Sequence, residues 1–544
     1  MESDTEPKKV ELGILDLPTE IIISLLADLD IATLMRCKLV CRFLLNIIQE
    51  TTILTYAIEL AVSGQQDGVS SKLPVTEKLT LLRNRQSCWN VLKWSSQTQY
   101  PMQNHGGGLW ELFGDVLAQH RHDKSFIFVQ LPGYHRGIPE RQWVVKPEVP
   151  DVRDFTMEPS QDLLVILETP RRTARRSGYH RIHLQKLSTG AKHPLASHSG
   201  VIEHFSSAPH TSFLIQVSSE YIGIFFNANL NFATNEFAVW EWKTGQRKLH
   251  LMGDEFRSSC FLSDKHILLL LASSSNADGG QTEVDLFVVD FEQEGSETKS
   301  LMDIQYGLRF ALPRFKQSVV PFKFAVRSDP SPSWNPHPDI KAPFHVAHTA
   351  KIFIASLWIQ EHFIHHLALV VPQSTLLSRL NLLGAMTNNP KLAWKDWGPT
   401  ESRLMKLPME NRSFDIWACY VHGTKFVVPE RSFRSRANST TIHLLDFNQK
   451  ALRNGVFRDD GLQTDVISDM DSSLIYYNSS LCVIASTIFR AGDLFREEVS
   501  TRLGYRWIAK PIALREGSNS LMCSEDSVIL VQDEGDCSYH VYSF

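Results

Sequence analysis

The sequence predicts an α+β multidomain chain. An N-terminal helical module and a bridge helix precede a large all-β domain, a β-propeller of six to eight blades. Three observations carry this. Residues 14–63 place apolar side chains three and four positions apart, the spacing of amphipathic helices. Beyond about residue 100 the chain turns to short runs rich in Val, Ile, Phe and Tyr, bounded by Gly, Pro, Ser and Asp. At 544 residues it also exceeds what one ordinary core supports.

Taken in order, residues 1–13 are polar and form a flexible N-terminus. In residues 14–63, Pro18 suits the start of a helix, where its missing N–H costs nothing. Glu20 follows, facing the positive end of the dipole. Ile21, Ile22, Leu25, Leu26 and Leu29 form a broad apolar stripe. Asp30 is the expected N-cap of a second helix through Leu34 and Cys37. A third helix is expected from near Val40, carrying Leu44, Ile47, Ile48 and later Ile58. Three short helices cannot bury all of this among themselves. The surplus either docks on the rest of the chain or serves a partner.

The string Leu17-Pro18-x-Glu20-Ile21, then Leu25-Leu26, Leu29, Leu34 and Val40-Cys41-Arg42, resembles the F-box in order and spacing. Two positions depart. Phe43 and Leu44 stand where many F-boxes carry a basic residue and a Trp, although Leu44 keeps the apolar character. The resemblance implies that this module grips a Skp-type adaptor, which connects to the cullin and RING subunits of an SCF-type ubiquitin ligase. The contact residues it implies are Leu17, Pro18, Ile21, Leu25, Leu26, Leu29, Leu34, Val40 and Leu44.

Residues 64–100 read as a linker and a bridge helix from about Val75 to Trp94, with Leu79, Leu82, Cys88, Trp89 and Leu92 on one side. Residues 101–544 read as the propeller. Fully apolar runs after polar turns, such as Leu163–Leu167 and Ile267–Leu271, suit strands buried on both faces. Alternating strands closed by turns suit the outer positions. Gly190, Gly245 and Gly295 close three such strands at intervals of 55 and 50 residues, about the length of a four-stranded blade. The expected blades are 106–149, 150–199, 200–253, 254–304, 305–385, 386–455 and 456–544. The alternative is a pair of β-sandwiches or an irregular all-β domain. If the ring closes, Ser527–Gln532 and Tyr539–Phe544 are integral strands, and the closing blade includes or abuts strands from near 106–149.

Trp394-Lys-Asp-Trp397-Gly398-Pro399 with Arg403, and Cys419-Tyr420-Val421-His422-Gly423, resemble motifs of uncharacterised F-box proteins from mushroom-forming fungi. So does the bridge helix with Leu82-Arg83 and Trp89-x-x-Leu92-x-Trp94. This resemblance brings no catalytic or ligand residue with it.

Net charge is −5, from 55 basic and 60 acidic residues, which argues against a general nucleic-acid binder. The one dense basic run, Arg171-Arg172-Thr-Ala-Arg175-Arg176, reads as a solvated loop, the alternative being a nuclear-import or acidic-partner patch. Eight scattered Cys show no zinc-ribbon spacing and suit a reducing compartment. The N-terminus has no signal-peptide core, and the longest aliphatic run, Ile267 to Ala272, is too short to span a bilayer. Cytoplasmic or nuclear residence without membrane attachment is expected, and the sequons at Asn411, Asn438 and Asn478 read as chance.

No enzyme chemistry announces itself. His105-Gly106-Gly107-Gly108 resembles a lipase oxyanion loop but lacks a Gly-x-Ser-x-Gly partner. There is no phosphate-binding loop and no dinucleotide fingerprint. His345, His348, His362, His365 and His366 crowd together in sequence, yet strand alternation splits the last three between two faces. Asp459-Asp460 and Glu497-Glu498 read as solvated turns. The expectation is therefore a non-enzymatic adaptor with no cofactor and no metal. A scaffold acting outside ubiquitin transfer is the first alternative, and a propeller enzyme or ligand binder the second.

Overall fold

The structure is a computed structural model. It describes all residues except 1–12, 104–107, 169–177, 198, 207–211, 229–233, 276–280, 381–388, 408–418, 432–438, 454–479, 514–517 and 533–536. The basic run at 171–176, the three sequons, Asp459-Asp460 and most of the His105–Gly108 run lie outside the described residues.

The N-terminal module opens with a 3-10 turn, Ile14–Asp16, followed by α1 (Thr19–Ala27), α2 (Ile31–Cys37), α3 (Arg42–Glu50) and α4 (Thr52–Val62). Pro18 is the N-cap residue of α1. Asp30 caps α2 as expected, its carboxylate accepting from the Thr33 backbone N–H at 3.0 Å and from Thr33 Oγ1 at 2.6 Å. The single third helix expected through Ile58 is instead two. Thr51 adopts an extended conformation that ends α3 and starts α4, so Ile58 returns to the module's core from a different direction. Ile22, Leu26, Leu34, Leu44, Ile47, Ile48, Leu54 and Ile58 form that core.

The β region is a ring of seven sheets, antiparallel but for short parallel additions at Thr298–Lys299 and Lys391–Leu392. Blade one contains Trp110–Phe113, Val116–His120, Phe126–Gln130 and Arg141–Val145. Blades two to six span 152–205, 212–252, 256–311, 320–407 and 421–513. Blade seven takes Ser518–Cys523, Ser527–Gln532 and Ser538–Ser543 from the C-terminus. Its fourth strand, Ser96–Pro101, comes from the other end of the β region and pairs antiparallel with Ser538–Ser543. The chain thus seals its ring with a strand just after the bridge helix, and the closing blade abuts the strands from 110–145 without including them.

Apolar clusters run between consecutive blades all the way round. One joins blade one to two through Phe128 and Ile166, and another joins blade seven back to one through Ile529 and Leu117. Closure by packing therefore accompanies closure by strand pairing. Gly190 and Gly245 explain the repeat read in the sequence. Both have positive φ (72° and 75°) in the turns that end blade strands, and a Cβ on Gly190 would lie 2.4 Å from Val145 Cγ1.

The expected boundaries of the first four blades lie close to those observed. Blades five to seven differ. Arg403–Leu407 completes blade five, and Tyr505–Ala513 belongs to blade six and pairs with Ser439–Asp446 across a long intervening segment. Trp394–Glu401 is a short helix packed on blade four. Trp397 is buried there and donates from Nε1 to the Ala311 carbonyl at 3.1 Å. Arg403 is buried too and donates to the carbonyls of Leu503 and Ala485 at 2.9 and 2.8 Å. The Trp394–Arg403 motif is therefore cement between blades. Among the described residues no helix is long and apolar enough to cross a membrane, and all eight cysteines are free.

Candidate functional site

Helices α1 to α3 bury one side and leave another open. Pro18, Ile21 and Leu25 lie along the outward side of α1, and Leu25 is 45% exposed. The α2–α3 connection adds Val40, 71% exposed, with Leu39 and Phe43 beside it, and the opening turn adds Ile14 and Leu15. Scattered exposed apolar residues are ordinary, but so many on one small module make this the candidate contact face.

The nine residues named from the sequence divide by position. Pro18, Ile21, Leu25 and Val40 are exposed. Leu17 and Leu29 are half-buried and pack only on the module's own core. Leu26, Leu34 and Leu44 lie inside that core, Leu34 being 1% exposed, so they hold the face in shape without forming it. None of the nine lies in a cluster shared with the propeller. Ile14, Leu15, Leu39 and Phe43 were missed by the periodicity argument. They sit in a 3-10 turn and an interhelical connection, where no helical period applies. At the edge of the face, the Thr33 hydrogen bonds hold the Asp30 carboxyl below its ordinary value.

The module is not tethered loosely. Gln65–Asp67 pairs with Phe344–Val346 as a two-stranded sheet against the ring. Tyr56, on α4, donates to Asp67 Oδ1 at 2.7 Å. The bridge helix α5 (Val75–Asn90) lies on α4 and then meets the seam of the propeller. Trp89 stacks on Phe544 at 4.0 Å between ring centroids, and Leu82 is fully buried. Arg85 Nε reaches Asp526 Oδ1 at 2.9 Å, and Arg85 Nη2 reaches Glu525 Oε1 at 2.7 Å. Arg136, in the connection within blade one, pairs with the other Asp526 oxygen at 2.5 Å and with Asp115 Oδ2 at 2.6 Å.

All five charged groups of this network are buried. Burial alone would raise the Glu525 carboxyl, but Arg85 and Arg136 together hold it well below the ordinary carboxylate range. Burial wins at Asp115, which is pushed up to about 6 despite Arg136. The bridge helix, which packs on α4 of the module, is thus ion-paired to the turn where the ring closes.

The propeller's central channel offers less. First strands of blades one to five surround a cavity of ≈ 70 Å³ lined by Glu111, Thr156, Gln216, Cys260 and Asp329. Burial pushes Glu111 up to about 8 and Asp329 up to about 6. That volume is far below the several hundred Å³ of an ordinary small-molecule pocket. The histidines singled out from the sequence also separate. His345 and His348 both approach Gln66 Nε2 at 3.3 Å, whereas His366 stacks on Trp358 in blade five.

Residues 14–54 match the F-box domain family. No curated protein matches the chain in sequence. Among solved structures, the WD40 domain of SCAP from fission yeast is similar over 82% of this chain and 97% of that one, at 10% identity and a TM-score of 0.36. Hsv2 of Kluyveromyces lactis is similar over 80% and 91%, at 11% identity and a TM-score of 0.33. Extracellular domains 1–2 of Drosophila Semaphorin 1a are similar over 82% and 88%, at 9% identity and a TM-score of 0.37. The seven-bladed fold rests on the strand pairing above and not on these likenesses.

Proposed function

We propose that this chain is a substrate-recognition adaptor of an SCF-type ubiquitin ligase. Residues 14–63 would bind a Skp-type adaptor, 64–100 would fix the angle, and 101–544 would hold a protein target. The observation that carries the reading is the outward apolar face of an F-box-matching module, ion-paired through α5 to the propeller seam. Such an adaptor needs no catalytic group of its own. It works by holding the target near the ubiquitin-charged enzyme, converting an encounter into a positioned reaction. A stiff connection serves that role better than a loose one.

In this reading Pro18, Ile21, Leu25 and Val40 touch the Skp-type adaptor, with Leu17 and Leu29 at its margin, and Leu26, Leu34 and Leu44 support them. The likeness of the Trp394–Pro399 and Cys419–Gly423 motifs to F-box proteins of mushroom-forming fungi fits the same role, in the cytoplasm or nucleus. The test is co-expression with a Skp-type adaptor and a cullin. Wild type should capture both. Leu25→Asp with Val40→Asp should lose both and keep the wild-type melting temperature, because both side chains are exposed. Interface anchors of this kind cost about 2 kcal/mol or more when removed. Unchanged capture by the double variant would overturn the contact. Capture of the Skp-type adaptor without cullin would favour a scaffold acting outside ubiquitin transfer.

A further inference from the structure

His204, Glu236 and His250 are 46 positions apart from first to last, yet the fold brings them to one point. Glu236 opens the third strand of blade three, and His250 lies on the outer strand beside it. In their register Ala238 faces His250, so strand alternation puts Glu236 and His250 on the same face. His204 comes from the outer strand of blade two, where Ile202, two positions earlier, packs with Ala238 and Trp240 of blade three. The three side chains meet at the seam of the two blades, and all are buried.

The geometry is that of a donor set. His204 Nε2 and His250 Nε2 each lie 2.5 Å from Glu236 Oε1, and the three donor atoms lie within 4.8 Å of one another. His250 Nδ1 is 2.7 Å from Thr298 Oγ1. With the proton on Nδ1 donated to that hydroxyl, the Nε2 lone pair points at the shared centre. An outer partner of this kind orients metal-binding imidazoles. The His204 ring is fixed edge-to-face on Trp240 at 5.1 Å and lies against Phe226 at 4.9 Å. A cleft of ≈ 660 Å³ opens beside the three, its mouth lined by Glu203, Gln246, Arg247 and Ser296.

The plain alternative is one carboxylate oxygen accepting from two imidazole N–H groups. Both Nε2 atoms converge on the same carboxylate oxygen in either reading, and the two readings differ in whether Nε2 carries a proton or faces an ion. An ion bound tetrahedrally at about 2.0–2.1 Å from each would set the donors about 3.3 Å apart, an opening of under about 1 Å per contact. We propose that His204, Glu236 and His250 bind a single divalent transition-metal ion, with zinc(II) best suited to the two-imidazole, one-carboxylate set. The ion bridges blades two and three, and its fourth position faces the cleft and holds water. The ion binds the imidazoles as neutral rings with Nε2 unprotonated, and a proton taken up at either Nε2 competes with it, so uptake weakens as pH falls.

The test uses tag-free full-length protein stripped with chelator and titrated with zinc(II), with bound metal counted by elemental analysis. Wild type should take up about one equivalent and melt at a higher temperature. Glu236→Gln and His250→Gln should each lower the affinity at least about tenfold, since losing a ligand costs more than the tenfold or greater effect of an outer partner. His345→Gln, distant from the site, should bind as wild type. No uptake by wild type, or equal uptake by Glu236→Gln, would overturn the site. Should the buried variants fail to fold, cobalt(II) in the wild type decides. Four-coordinate d–d bands without thiolate charge transfer support the site, and thiolate bands or six-coordinate spectra overturn it. Adaptor capture is read separately and does not depend on this outcome.

Discussion

In the helical module, Leu39 and Val40 stand 86% and 71% exposed at adjacent positions, while in blade seven all six residues of Ser527–Gln532 are buried. The two regions have similar apolar content along these stretches and opposite fates. Each propeller sheet is covered by its neighbours on both sides, so a fully apolar strand finds cover within the chain. The module has too few helices to cover every face of its own, and the propeller contacts it through α4, α5 and the strand at Gln65–Asp67, away from α1. Apolar surplus in the ring is covered by neighbouring blades, whereas apolar surplus on the small appended module stays exposed.

The comparison breaks first at the seam, where the largest effect is expected. Deleting residues 537–544 removes the strand between Ser527–Gln532 and Ser96–Pro101, and takes Phe544 away from Trp89. The propeller should lose its cooperative melting transition, because both closure devices fail together. Unchanged melting temperature and circular dichroism would show that the ring does not depend on this strand. The contrast with Leu25→Asp/Val40→Asp, which should leave the transition intact, is the comparison in experimental form.

Asp526→Ala is expected to act next most strongly. It leaves Arg85 and Arg136 each short of one partner in a buried site. Removing one member of a buried pair costs about 3–5 kcal/mol. The cost should fall on both regions, since Arg85 lies on the bridge helix and Arg136 within blade one. Chemical denaturation should show a lower midpoint, and protease should cut the module free earlier than in wild type. A loss confined to the module would mean that the network only docks the helix.

Much of this architecture was legible in the sequence. The helical stripe, the Asp30 cap, the turn glycines at 190 and 245 and the first four blades follow from local periodicity and turn chemistry, which act over a few residues. The break at Thr51 was not, since residues on both sides of it favour helix and only packing against the core selects the bend. The last three blades were misplaced because the fourth strands of blades five and six are each reached across a long segment, so the period vanishes just where it was needed. The candidate face was half legible. A stripe names the residues of a helix but does not say which edge of the stripe faces inward, so Leu34 and Leu44 were grouped with Leu25 and Val40. The His204, Glu236 and His250 set had no local spacing at all, while the conspicuous run from His345 to His366 disperses over unrelated partners.

The smallest expected effect concerns acid, and it separates the propeller from the module by chemistry. His366 in blade five is buried and stacked on Trp358 at 4.3 Å, and its Nε2 has no hydrogen-bond partner among the described residues. Burial, aided by Lys323, pushes its pKa down to about 4. His345 and His422 are likewise depressed by burial, to about 4 and about 3. Between about pH 6.5 and 4 the unfolded chain binds a proton at His366 that the folded chain refuses, so stability rises with pH there and falls on acidification. The slope is at most about 1.4 kcal/mol per pH unit for each such histidine. Buried carboxyls such as Asp115 and Glu111, raised to about 6 and about 8, pull the other way, because the folded chain keeps their protons longer. The measurement must therefore be a difference. His366→Phe keeps a flat ring on Trp358 and should cost under about 1.5 kcal/mol at pH 7.5, as a near-isosteric core change. As pH falls through 6.5 towards 4, wild type should lose stability that the variant keeps, and the two melting temperatures should converge and then cross. Parallel curves over that range would show that His366 takes up its proton in the folded propeller as easily as in the unfolded chain.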